Sequence, residues 1–443
     1  MVIRNDKMRD AFLELSKAVW QVLEDHRKEG HPLLTIERKK ANWTEIGLIV
    51  TIHHESNMVE FLRRHMSEIR RMKEFETCIE VMREDEVVNG HLEKRVGYFT
   101  NTRLIQTPMI VEMFLIHFMS DSKSFDFDIS SFIRVYQEME DFFYMDMISV
   151  EVFVHLEGFS STAEKLDFGN GWEISRIPKT QFDDLLSEGL LEDSPHMSKY
   201  ALYWKLNTSK RVLENEEEFD SPGEYQNYEN TVRKIVTALR LFKAGDIGFR
   251  RIIRRYKGWL SHEGSIHTSV MKHFWNPYRL ELGELDNFRL LLDLILNAPD
   301  NSAFELALER LNDAVERQKS YDSLIDYMIA FEAIFLLKGD RKKTTLSKRT
   351  AIMITEKDSG FENIFRRMRL AYDLRNSIVH GDSREELNEI LQKTGSSKRE
   401  FVNEIGEYLR KSIKQYLVHI SKGDSKKDIV RTLERSYSDI YDD

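Results

Sequence analysis

The stretch SYDSLIDYMIAFEAIFLL, residues 320–337, decides how the C-terminal half of this 443-residue chain is expected to fold. Apolar residues recur in it at helical spacing, and this periodicity predicts an α-helix. They are Leu324, Ile325, Met328, Phe331, Ala333 and Phe335. A helix that is apolar around so much of its surface is typical of the centre of a helical bundle. We therefore predict a bundle built around this segment.

The same periodicity continues on both sides of the central segment. Further helices are predicted at 228–242, 283–296, 304–318, 346–354, 361–380 and 398–419. The chain has only 7 prolines and 20 glycines, and it is rich in residues that favour helix. From residue 228 onwards we therefore expect an all-α bundle.

The first half of the chain has a mixed pattern. Helices are predicted at 8–29, 58–72, 107–119 and 129–143, and a strand at 45–53. From Ile148 apolar and polar residues alternate, which indicates a strand, and the turn Gly169-Asn170-Gly171 between two apolar segments indicates a hairpin. With another strand at 200–206, these segments predict a small sheet over 147–212. The expected fold class is α+β: a mixed N-terminal region with a small β-sheet, then the helical bundle.

An acidic stretch marks the clearest boundary. Residues 214–220 contain five acids and are followed by Ser221-Pro222-Gly223, a combination typical of a solvated linker. We predict a mixed α/β domain over 1–146 and a β-rich subdomain over 147–213. The acidic linker follows at 214–227, and the bundle domain occupies 228–443.

The composition is that of a globular protein, with 41% hydrophobic and 32% charged residues. The single cysteine, Cys78, leaves no internal disulfide framework and no cysteine-based zinc cluster. The longest apolar stretch, 109–119, is interrupted by Glu112 and is too short to cross a bilayer. We expect a cytoplasmic protein without a membrane role.

Positive charge is concentrated in two runs, although the net charge is −10. Residues 233–257 contain nine Lys or Arg and one acid. Residues 338–375 contain eleven Lys or Arg and five acids. The candidate RNA-binding residues are Arg254, Arg255, Arg366 and Arg367. Either run alone could be the solvated face of a helix. Two runs in the same half of the chain favour a polyanionic partner, for which RNA is the prediction.

The second run leads into LAYDLRNSIVHG, residues 370–381. Arg375 carries a fixed charge that can hold a phosphate, and the residue type at His380 is the one most often used as general acid or base. On a helix, Asn376 and His380 share the face opposite the apolar residues of the segment. Arg375 and His380 lie about 140° apart on a straight helix, so one copy encloses a phosphate poorly. A kink or a second copy across a two-fold axis would repair this geometry.

A purely structural interpretation also accounts for these residues. A histidine followed by Gly381 is an ordinary helix C-terminus, with a cation in the last turn and then a residue that permits positive φ. In that interpretation Asn376 is a surface residue, and Arg375 forms a salt bridge with Asp373 or Glu332.

Three segments occur in one order: YDSLIDYMIAFEAIF at 321–335, LSKRTA at 346–351 and YDLRNSIVHG at 372–381. Together they resemble the Apea-like branch of the HEPN superfamily, a group of helical nucleotide-binding domains that includes many RNases. The resemblance covers roughly 230–420, extends loosely to 147–212, and does not reach 1–145.

The resemblance implies a helical bundle that forms a homodimer, with two Arg-x4-His helices facing each other over an RNA backbone. His380 would act as general base or acid, Arg375 would stabilise charge on the phosphate, and Asn376 would orient the histidine or a phosphate oxygen. Glu332 and Arg349 would have supporting, structural roles. No metal and no other cofactor would be needed. The implied function is a metal-independent endoribonuclease of defence or toxin type, including antiviral defence, with the N-terminal region binding a regulatory partner or ligand.

Two other functions stay open. The bundle could be a catalytically silent HEPN module that binds RNA or serves as a scaffold, or residues 1–145 could carry the specific function while the bundle only dimerises. Other chemistry has less support. The adjacent His53 and His54 would point to opposite faces of a strand, and three later histidines lack the spacing of zinc ligands. They are His262, His267 and His273. Phosphate-binding glycine loops and the Gly-x-Ser-x-Gly motif are missing from the sequence.

Overall fold

The computed structural model describes residues 3–28, 36–44, 47–55, 57–98, 101–121, 126–179, 181–182, 198–213, 227–256, 263–266, 276–355 and 360–441. An antiparallel sheet lies largely in the N-terminal half, together with several helices, and helices make up most of the C-terminal half. The predicted α+β class is therefore confirmed.

Helices and a few strands make up the first part of the chain. The elements are α1 (Asp6–Lys28), β1 (Ile36–Thr44), β2 (Gly47–Glu55), α2 (Asn57–Ile69), α3 (Lys73–Glu84), α4 (Glu86–Asn89), β3 (Arg95–Tyr98), β4 (Asn101–Leu104), α5 (Thr107–Asp121) and α6 (Ile129–Tyr144). The apolar stripe of α1 is fully buried at Phe12, Leu15 and Val19. Asp128 begins α6 by accepting a hydrogen bond from the backbone N–H of Ser130 (2.9 Å), which satisfies a donor that the helix leaves free.

Most strands of the main sheet come from the middle of the sequence, between residues 147 and 266. Its remaining strands and the neighbouring elements are β5 (Met147–Glu157), β6 (Phe159–Ser160), β7 (Lys165–Gly169), β8 (Trp172–Arg176), β9 (Tyr200–Leu213), α7 (Tyr228–Phe242), β10 (Gly248–Tyr256), β11 (Glu263–Ile266) and β12 (Tyr278–Arg279). Strand β5 pairs with β10 on one side and β9 on the other. The opposite edge of β9 pairs first with β8 and then with β3. The predicted hairpin at 166–174 is present as β7 and β8.

The sheet is larger than the sequence indicated. It has eight described strands, in the order β11-β10-β5-β9-β3-β4 with β7 and β8 beside β9. Strands from before residue 147 and after residue 227 join it, so it combines parts of three predicted regions. The domain boundaries themselves stay predictions. The expectation of an all-α segment from 228 onwards was wrong at β10 and β11, which are strands of this sheet, and at β12, which pairs with β6.

The helices of the C-terminal half form the predicted bundle. They are α8 (Leu285–Leu296), α9 (Ser302–Glu316), α10 (Ser320–Phe335), α11 (Lys342–Ile354), α12 (Phe361–His380), α13 (Arg384–Thr394), α14 (Lys398–Ser421) and α15 (Lys426–Tyr441). Helix α10 packs against α9, α11, α12, α14 and α15. Its residues Leu324, Met328 and Phe331 are completely buried. At Gly406 of α14 an added Cβ would lie 3.0 Å from the Tyr327 ring, so this glycine allows α14 to approach α10 closely.

Within the described ranges, no helix combines the length and the apolar character needed to cross a membrane.

Candidate functional site

Helix α12 positions the candidate site at its last two turns. Leu374 is fully buried, and Leu370 and Ile378 pack against the core, so one side of the helix is fixed in the bundle as predicted. The helix ends where Gly381 adopts a left-handed conformation with φ 75°, and the N–H of Asp382 donates to the carbonyl oxygen of Ser377 (2.9 Å). This is the ordinary C-terminal cap that the sequence indicated.

Arg375 reaches the polar face despite its position on the helix. Its Nη1 donates a hydrogen bond to Oδ1 of the neighbouring Asn376 (3.1 Å). The Cβ directions of Arg375 and His380 differ by about 140° on an ideal helix. The long arginine side chain shortens this separation, because its guanidinium ends beside a residue that shares the face of His380.

The salt bridges proposed for Arg375 in the structural interpretation do not form. Lys343 Nζ contacts Asp373 at 2.6 Å, and Lys342 Nζ lies 3.6 Å from Glu332. Among the described residues Arg375 has no ion pair, and its Nε is buried without a hydrogen-bond partner. The charge of this guanidinium is therefore balanced by no carboxylate within the described part of the chain.

His380 lies one helical turn beyond Asn376 and is exposed. Within the described part of the chain its ring makes no hydrogen bond or ion pair. The adjacent Val379 is also exposed, at 51% of its maximum. The imidazole is therefore available to an external group, and an apolar side chain lies next to it.

The polar face extends towards the start of α12. Arg369 and Phe365 follow at helical spacing from Asn376, on the same face of the helix. Sequence reasoning did not single out these two residues. The three- and four-residue spacing that linked Asn376 to His380 would have found them if it had been followed backwards.

The two candidate RNA-binding residues on α12 differ. Arg366 is exposed, and its Nη2 contacts Asn363 Oδ1 at 3.4 Å. Arg367 is buried, donates to Glu404, Thr394 and Ser396, and its guanidinium carbon lies 4.6 Å from the centre of the Phe401 ring. The prediction for Arg367 was wrong, because its donors are already used inside the bundle.

The first basic run is also not one exposed surface. Arg240 is buried and donates to the carbonyl of Ile247 and to Glu316 (2.8 Å). Arg254 lies in β10, is half-buried, and its guanidinium carbon is 6.0 Å from the centre of the Tyr228 ring. The side chain of Arg255 lies outside the described residues. The run therefore contains internal supports as well as candidate RNA contacts.

Arg349 is an internal support of the bundle. Its guanidinium donates to the carbonyl of Phe335 (2.5 Å), to Asp340 (2.5 Å) and to Glu434 (2.5 Å). Burial alone would raise the pKa of Asp340, but hydrogen bonding from Arg349 and from the backbone of Leu337 lowers it overall. These contacts connect the end of α10 and the following loop to α15.

Other candidate chemistry is not assembled among the described residues. Cys78 is buried, and burial raises the pKa of its thiol, which disfavours the reactive thiolate. His53 and His54 belong to β2, but their side chains are outside the described part of the structure. The later histidines at 262, 267 and 273 also lie outside the described residues. No cluster of three or more metal-ligating side chains occurs in the described ranges.

Comparison of the chain with protein-family models, curated proteins and solved structures gives no match. The HEPN resemblance therefore stays a prediction based on the three sequence segments.

Proposed function

We propose that this protein is a metal-independent endoribonuclease whose site consists of Arg375, Asn376 and His380. The observation that carries the proposal is the hydrogen bond from Arg375 to Asn376 (3.1 Å). It brings a guanidinium without a described carboxylate partner to the helix face that bears an exposed histidine. A fixed cation beside an imidazole, a side chain that can act as general acid or base, suits a phosphodiester substrate.

The proposed reaction uses the 2′-hydroxyl of the RNA itself as nucleophile. Its oxygen bonds to phosphorus while the bond from phosphorus to the 5′ oxygen breaks. One histidine removes the proton of the 2′-hydroxyl, and a protonated histidine gives a proton to the leaving oxygen. Arg375 stabilises the additional negative charge on the phosphate, and Asn376 holds the guanidinium in place. The products are a 2′,3′-cyclic phosphate and a 5′-hydroxyl.

The base and the acid are best supplied by two copies of His380. We therefore include a homodimer in the proposal, with the polar faces of two α12 helices on either side of the RNA. The exposed Val379 beside His380 suits an interface between copies. The negative phosphate would reduce the repulsion between the two copies of Arg375, so RNA binding and dimer formation would reinforce each other.

A catalytically silent RNA-binding or scaffolding module is the second candidate. It is favoured by one observation: the ring of His380 has no described partner that would orient it. Catalytic histidines are commonly oriented by a third group. The role in defence or as a toxin belongs to the endoribonuclease proposal, in which the first 146 residues would be the sensor or regulator.

RNA cleavage in EDTA tests the proposal. We expect the full-length protein to cut labelled single-stranded RNA and to leave 2′,3′-cyclic phosphate ends. His380→Ala should lower the rate by at least about 10²-fold, in the range of general acid–base catalysis. His419 is a matched control, because it also stands in the last turn of a bundle helix but hydrogen-bonds to Asp424 (2.8 Å). His419→Ala should keep its activity.

The same assay tests the dimer by dilution. If the site needs two chains, the activity per chain should fall as the protein is diluted and rise again when it is concentrated. RNA that is bound but never cut would identify the silent module. Equal losses in His380→Ala and His419→Ala would contradict the assignment of the site.

A further inference from the structure

One face of α12 carries more than the residues of the proposed site. Moving back from His380 in helical steps leads through Asn376 and Arg369 to Phe365 and Phe361. Residues at this spacing lie above one another on a helix. The face extends for about 28 Å at 1.5 Å per residue, which is long enough for several nucleotides of an extended strand.

The beginning of this face is aromatic and basic. The rings of Phe361 and Phe365 are stacked, with centroids 5.8 Å apart and an angle of 9° between their planes. The guanidinium carbon of Arg369 lies 5.7 Å from the centre of the Phe365 ring. Arg366 and Arg369 are exposed, and both rings are half-buried. Aromatic and guanidinium planes in such an arrangement are surfaces on which nucleobases stack.

The position of Phe365 is not explained by packing in the bundle core. Its neighbour Ile364 packs against the hydrophobic core, whereas Phe365 is not among the core-packed side chains of the described residues. The nearby acid Asp373 is already paired with Lys343 (2.6 Å), and among the described residues of this face Glu362 is the remaining exposed carboxylate. With Arg366 and Arg369, the charge of the face suits a polyanion.

We propose that this face is a binding track for single-stranded RNA. A nucleobase stacks on the rings of Phe361 and Phe365 while Arg366 and Arg369 hold neighbouring phosphates. The inference rests on the proposed function for one point, the position of the cleaved bond at His380. Single-stranded RNA is favoured because a duplex hides the faces of its bases. We expect RNA binding by the track to be independent of base sequence, because every base has a face that can stack on an aromatic ring.

Binding can be measured separately from cleavage with the full-length His380→Ala protein and a fluorescent RNA of about 12 nucleotides. Phe365→Leu keeps an apolar side chain but removes the aromatic face, and we expect about tenfold weaker binding. An abasic strand of the same length should bind both proteins equally. Arg369→Gln should reduce the slope of log affinity against log salt by about 0.7, the value for one phosphate contact in a single strand. Glu362→Gln should strengthen binding severalfold.

The outcomes separate the two proposals. Unchanged affinity in both Phe365→Leu and Phe361→Leu would overturn the track, as would an equal loss of affinity for the abasic strand. If circular dichroism shows that Phe365→Leu is unfolded, Phe361→Leu alone tests the track. If the wild type cleaves RNA but binds it independently of these rings, the endoribonuclease proposal is supported and the binding track is contradicted. If the wild type binds RNA through these rings but does not cleave it, the binding track is supported and the endoribonuclease proposal is contradicted.

Discussion

Arginines with different surroundings occur within one bundle. Arg349 and Arg367 are buried and bonded to carboxylates, which makes them part of the framework. Arg375 is half-buried, has no carboxylate partner among the described residues, and keeps its Nε unpaired. A buried donor without a partner costs about 1–3 kcal/mol. A residue held at such a cost fits a role in binding better than a role in stability.

Replacing Arg375 by methionine should therefore separate stability from activity. The variant keeps much of the aliphatic volume. It removes the unpaired donor but also the hydrogen bond to Asn376, and because these effects oppose each other we expect the free energy of unfolding to change by less than about 1 kcal/mol. RNA cleavage should fall by at least about 10²-fold, because the charge that stabilises the phosphate is lost. Urea unfolding and the cleavage assay measure the two effects.

Arg349→Met is the matched comparison for this substitution. It leaves the partly buried Asp340 without its arginine partner, so we expect a loss of stability that approaches the value of about 3–5 kcal/mol for breaking a fully buried pair. A large loss of stability in Arg375→Met as well would show that Arg375 is another framework residue.

At the level of single elements, the sequence predicted what depends on local periodicity. The central helix α10 and the face of α12 that bears Asn376 and His380 follow from helical spacing, and the structure has both. The role of Arg367 could not be predicted, because its partners Glu404 and Thr394 lie on elements that only folding brings close. Spacing along one helix contains no information about such contacts.

Strand β10 was missed for a different reason. Its pairing with β5 contains a register shift between Phe249 and Ile252, which interrupts the alternation of a regular strand. Ile252 and Ile253 are both buried, one in the main core and the other in a second cluster on the sheet. A strand covered on both faces and interrupted by a bulge lacks the period of two. Its arginines therefore looked like part of a basic helix.

The junction of β9 with α6 predicts a pH effect. Lys210 on β9 donates to the last carbonyls of α6, those of Phe142 and Phe143. Burial lowers the pKa of Lys210 to about 8, against a raising contribution from Asp146. In the unfolded chain this lysine keeps its ordinary pKa near 10.5, so between pH 8 and 10 the unfolded state holds more of its proton than the folded state.

The free energy of unfolding should therefore rise with pH through this window. The stabilising contribution of Lys210 should be lost as the pH falls through 8 and the buried lysine takes up a proton. Lys210→Met should have a shallower rise between pH 8 and 10 than the wild type, measured by urea unfolding at each pH. Lys205→Met is the control, since Lys205 is an exposed lysine of the same strand. Parallel curves for wild type and Lys210→Met would contradict the proposed origin of the effect.

At the scale of the whole molecule, the sheet links the two halves of the chain. Strand β10 follows the predicted linker at 214–227, and β5 precedes it, yet the two pair antiparallel along most of their length. Val152, Val154 and Ile252 are completely buried at this pairing. The hydrophobic core likewise continues from the first helices into the bundle. A break in the linker should therefore leave the halves associated.

A glutamate-specific protease can make this break, because Glu214, Glu216, Glu217 and Glu218 stand together in the predicted linker. We expect early cleavage there, giving two fragments on a denaturing gel that still elute as one species in native buffer. They should separate only in urea, since the β5–β10 pairing and the shared core replace the covalent link. Fragments that separate in native buffer would show that this pairing does not join the halves. Early cuts within 320–380 would place the boundary elsewhere.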